Sequence, residues 1–76
     1  MSSAADLLGV RVRRRRPYRP LGETIHLDSV DVDAIDQLVD EACRHTGERP
    51  EDARPAVVEA ILKRGIEALR EELGKA

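Results

Sequence analysis

The sequence predicts a mainly α-helical domain with one short N-terminal strand, completed by a second copy of itself. Three observations predict it. The run Thr24-Ile25-His26-Leu27-Asp28 alternates polar and apolar residues, which is the period of a strand. Two amphipathic helical stretches follow it and break at Gly47. The patterned part, residues 23–73, is only about fifty residues and has no disulfide, too few to bury a sufficient core alone. A lone strand also leaves its backbone N–H and C=O groups unpaired. A second chain supplies both the missing strand and the missing core.

Composition supports the need for a partner copy. The chain has no Phe or Trp, so its apolar residues are mainly Val, Ile, Leu and Ala. Each large aliphatic side chain contributes about 1.5–3 kcal/mol when fully buried. Ordering the backbone costs roughly 1–2 kcal/mol per residue. The single cysteine excludes an internal disulfide and fits a reducing compartment. No apolar run approaches the ~20 residues of a membrane span, and no apolar segment follows the basic residues as a secretory signal requires. A cytoplasmic address without a membrane partner is expected.

Charge divides the chain in two. Residues 1–22 carry six Arg and one Asp, a sum of +5; residues 23–76 carry seven Lys or Arg and fourteen Asp or Glu, a sum of −7. The total is the net charge of −2. Arg11, Arg13, Arg14, Arg15 and Arg16 fall in one short window, with Arg19 close behind, and Pro17 and Pro20 oppose helix there. Residues 4–9 have room for a helical turn, but one too short to be stable in water, and residues 1–22 therefore read as a mobile basic arm. Arginine pairs bidentately with phosphate, and Tyr18 is suited to stacking on a base. The alternative is a merely solvated tail, or an extra strand at residues 10–13.

The elements of the body, residues 23–76, follow in order. In the strand, Ile25 and Leu27 share one face; Thr24, His26 and Asp28 share the other. Asp31 or Asp33 caps the first helix, where acids suit the positive end of the dipole. Ile35, Leu38, Val39, Ala42 and Cys43 form its apolar stripe. Arg44 and His45 suit its last turn, and Gly47 stops it. The second helix is expected from an Asp52 N-cap, with Pro55 in its first turn, to about Leu73. Its apolar stripe is Val58, Ile61, Leu62, Gly65, Ile66, Leu69 and Leu73. Gly65 lies on that stripe at a cost near 1 kcal/mol relative to Ala, which predicts close approach of another helix.

Strand, helix, glycine turn and helix in this length resemble the ribbon-helix-helix family of prokaryotic DNA-binding proteins. The resemblance rests on residues 24–28, on the first helix ending at Gly47, and on the run Ala56 to Ile66. It implies an intertwined dimer with a two-stranded antiparallel ribbon in the major groove. It also implies that Thr24, His26 and Asp28 face base edges, and that the turn at Asp52, Ala53, Arg54 and Pro55 holds a phosphate. The sequence departs from that pattern at Asp28, which can only accept, and at Glu51 and Asp52, which repel a phosphate. Some members of the class carry a basic N-terminal arm that assists DNA binding or engages a partition ATPase; others are antitoxins that cover a toxin.

No P-loop, Gly-rich dinucleotide turn or CxxC pair is present. Cys43 and His45 are two apart on a helix and so point to different faces. No metal, cofactor or enzymatic activity is expected. The leading expectation is a homodimeric, sequence-specific DNA-binding protein, a transcriptional repressor or partition factor, with Arg11, Arg13, Arg14, Arg15, Arg16 and Arg19 contacting phosphates beside Arg54. The alternative is an acidic dimerisation or docking module whose basic arm binds a partner protein or another polyanion.

Overall fold

The structure is a computed structural model that describes residues 2–10 and 20–75. Three helices follow one another: α1 (Ala4–Leu8), α2 (Ser29–Thr46) and α3 (Pro50–Lys75). Among the described residues there is no strand, so the expected ribbon-helix-helix arrangement is corrected. Residues 23–28 run into α2 without regular secondary structure, and Ile25 and Leu27 are exposed. The physical reason is short range. An apolar alternation of two residues holds no strand unless a neighbouring strand takes its backbone hydrogen bonds, and no described segment lies in place to do so.

Asp28 is the N-cap of α2, three residues before the first cap expected, and its carbonyl accepts the Val32 N–H at 3.0 Å. Gly47 closes the helix in the left-handed region at φ 76°, donating its N–H to the Cys43 carbonyl at 2.7 Å. Three residues then lead into α3, whose first turn hangs on the Arg49 carbonyl. Pro50 occupies the first helical position, where a missing N–H costs nothing. Because α3 begins earlier than expected, Pro55 lies inside it and the carbonyl four residues before it loses its usual donor.

The smallest element was the least expected. Ser3 and Asp6 form a capping box around the start of α1, and Gly9 ends the helix with φ 68°. Five residues do not hold a helix in water; α1 is held by packing. Ala4 and Val10 are buried against α2 and α3. The Ala4 N–H donates to a carboxylate oxygen of Glu48 from the α2–α3 turn, and Arg64 of α3 donates to the Leu8 carbonyl at 3.1 Å. Residues 3–10 thus belong to the packed body.

The core is built from small side chains. Its buried apolar members are Ala4, Val10, Val39, Ala42, Ala53, Ala56, Val57 and Ala60. The expected core positions Leu38 and Ile61 are 46% and 38% exposed. From Ile61 onward no described residue of α3 is buried. At 3.6 residues per turn, the buried face of α3 (Ala53, Ala56, Val57, Ala60) lies roughly 170° from the stripe of Val58, Leu62, Ile66, Leu69 and Leu73. The helix thus turns its alanines inward and its leucines outward.

Two substitutions separate these faces. Ala56→Leu overpacks the seam and should cost about 1–3 kcal/mol in urea unfolding. Leu38→Ala should fall short of the ~2–5 kcal/mol of a buried leucine. A larger loss at Leu38 than at Ala56 would overturn this account of the core.

Candidate functional site

Two surfaces stand out once the helices are placed. The first is an apolar groove of about 180 Å³ where α1, α2 and α3 meet. Leu7, Leu8, Leu38, Ala42, Val57 and Ile61 line it, with Glu41, His45 and Arg64 among its polar groups. Leu7 and Leu38 remain about half exposed at its edge. The second is the outer face of α3. Leu62, Ile66 and Leu69 are each more than half exposed, and Leu73 is 73% exposed. Ile61 joins the two surfaces, so they are continuous.

Large apolar side chains on a solvent face need a reason, because a contiguous patch rimmed by charge marks an interaction surface. Here Lys63 and Arg70 flank it on one side and Glu72 on the other, all exposed. Gly65 sits within the patch, and a Cβ added to it would meet nothing within 4 Å. The close helix approach expected at Gly65 is therefore not made among the described residues.

The residues expected to contact DNA are dispersed. Thr24 and His26 are exposed in the segment that precedes α2, and Asp28 caps that helix with its backbone. Arg54 stands on the first part of α3, where its guanidinium donates to Asp36 of α2 at 2.7 Å. That pair is half exposed, so it contributes about 0–1 kcal/mol. Arg11, Arg13, Arg14, Arg15, Arg16 and Arg19 lie outside the described residues. The structure thus places Thr24, His26 and Asp28 on one segment, with Arg54 apart from them.

Sequence reasoning missed the groove because it set aside a helical turn at residues 4–9 as too short to hold and gave those residues to the arm. The signal was present: Ser3 and Asp6 have capping-box spacing, and Gly9 is a C-terminal stop. The turn that receives α1 is also specific. The Thr46 hydroxyl, on a buried residue, donates to the Ala42 carbonyl at 2.7 Å and accepts the Glu48 N–H at 3.2 Å. Glu48 is thereby positioned to reach the N-terminus of α1, where an acid suits the orphan N–H groups.

Among the described residues no three His, Cys, Asp or Glu side chains cluster to hold a metal. Among them, too, no helix is long and apolar enough to cross a membrane. Cys43 is half-buried on α2; partial burial, then the charges of Asp40, Glu48 and Glu51, push its thiol above the ordinary range. That environment disfavours the thiolate, the nucleophilic form.

The chain matches no protein-family model, no curated protein and no solved structure.

The Cys43 environment carries a direct check. Alkylation by iodoacetamide near pH 8 should be slower in the folded chain than in the chain unfolded in urea. The difference should narrow as pH rises and the thiolate forms in both states. A folded chain that reacts faster would mean that Cys43 is activated and not shielded.

Proposed function

We propose that this chain is a non-enzymatic docking module with two binding parts. The outer face of α3 holds a protein surface, and the arginine cluster between residues 11 and 19 holds the backbone of a nucleic acid. The observation that carries the reading is the face itself: Leu62, Ile66, Leu69 and Leu73 point away from a core that buries alanines. A fully buried Leu or Ile contributes about 1.5–3 kcal/mol. With more than half of each residue still exposed, covering the four adds roughly 1–2 kcal/mol apiece.

Electrostatics supports a division of labour. The body beyond residue 22 sums to −7, as seven cations against fourteen acids. It repels a polyanion, so the six arginines ahead of it supply the attraction. Screening limits that repulsion to roughly 8 Å at physiological salt, a distance that an extended arm of several residues exceeds. The reading as a sequence-specific repressor or partition factor asks for a groove-reading element. The ribbon expected at residues 24–28 does not form, so the favoured contact is with phosphates and not with base edges.

Two measurements test the two parts. Replacing Arg11, Arg13, Arg14, Arg15, Arg16 and Arg19 by Gln leaves the packed residues 3–10 in place. The slope of log affinity for random duplex DNA against log salt should then flatten by up to about 5, at about 0.9 per phosphate contact. An unchanged slope would remove the arm from the reading. For the face, an apolar fluorescent dye should bind the chain at dilutions where sedimentation shows single chains. Ile66→Glu with Leu69→Glu should abolish most of that binding and keep the helical circular dichroism. Undiminished dye binding would mean that α3 is not the docking face.

A further inference from the structure

The geometry points to the occupant of the α3 face: a second copy of the same α3, antiparallel, crossing it at Gly65–Ile66. This deepens the docking reading and rests on it. Three observations carry it.

The first is the spacing of the stripe. Val58, Leu62, Gly65, Ile66, Leu69 and Leu73 lie symmetrically about a point between residues 65 and 66. An antiparallel copy reflects the stripe about that point. Val58 then meets the partner's Leu73, Leu62 meets the partner's Leu69, and Gly65 meets the partner's Ile66. The same contacts recur in reverse, as a two-fold interface requires.

The second is Gly65. It interrupts an exposed helix where alanine would be the stronger helix former, and the space over it is open in the single chain. A reflected Ile66 fills that space. A parallel, in-register pair places Gly65 beside the partner's Gly65 and leaves the space empty. The missing Cβ also allows the two backbones to approach closely.

The third is charge. Glu59, Lys63 and Arg70 lie on one flank of the stripe. Reflection brings Glu59 within two residues of the partner's Arg70, and Arg70 within two residues of the partner's Glu59. Arg70 falls between the partner's Glu59 and Lys63, one of each sign. No acid is set squarely against an acid on that flank. The surface is also continuous, through Ile61, with the groove rim at Leu7 and Leu38, so the seam extends beyond α3 alone.

Sedimentation equilibrium on the full chain should show a monomer–dimer equilibrium. Gly65→Leu is the sharpest variant, because the single chain has room for the side chain and gains helix propensity. It should weaken association tenfold or more while helicity holds or rises; association that is unchanged or stronger overturns the crossing at Gly65. Orientation is read from spin labels at Lys75→Cys in a Cys43→Ala background. Antiparallel crossing places the two backbone positions about 30 Å apart along the axis, and a parallel pair about 10 Å apart. A dimer at the short distance overturns the inference and leaves the docking reading standing. So does a chain that stays monomeric at sub-millimolar concentration yet binds the apolar dye through Ile66 and Leu69. A monomer that binds no dye there overturns both. Sedimentation and Gly65→Leu use the chain with Cys43 intact, so they decide the matter even if the labelled variant does not fold.

Discussion

The rest of the structure depends on one constraint, the small-residue seam between α2 and α3. Ala42 and Val39 on one helix face Ala53, Ala56, Val57 and Ala60 on the other, with Ala4 of α1 buried against them. Small side chains let helix axes come close, toward the short end of the 8–10 Å range. They contribute little each, at ~0.8 kcal/mol per buried carbon. The seam fixes which face of α3 turns inward, and its small area leaves the core of a single chain thin. Everything else on the surface follows from that choice of face.

A helix has only one inner face. Once the alanines of α3 turn toward α2, the larger residues at Leu62, Ile66, Leu69 and Leu73 must turn to water. The length of α3 makes this more pronounced. Its 26 residues span about 39 Å, against about 27 Å for the 18 of α2, so its distal half passes beyond the elements that could cover it. Burying the leucines against α2 instead would separate the helices and open the alanine seam. The fold therefore leaves a run of large apolar side chains on one exposed face of α3, beside the groove made by α1.

α1 shows how a weak local signal becomes structure. Its five residues have a capping box and a glycine stop, yet they gain order only from the body. Glu48 accepts its first N–H, and Arg64 donates to its last carbonyl. Both anchors come from distant positions in the chain, which no local pattern could indicate.

What was legible in the sequence is what depends on neighbours a few residues apart. The stop of α2 at Gly47 was legible because only glycine enters the left-handed region freely. The apolar stripe of α3 was legible from its spacing, and so was the anomaly at Gly65. The extended run at residues 24–28 was misleading for the same local reason, since alternation describes a strand only when a second strand is present to pair with it. By itself the sequence determined where two helices run, which residues share a face, and how charge divides the chain. Only the tertiary structure decided which face of α3 is buried, that α1 exists, and that Leu38 and Ile61 edge a groove and do not fill a core. Periodicity assigns residues to faces; the direction of a face is set by what packs against it, and that depends on the whole chain.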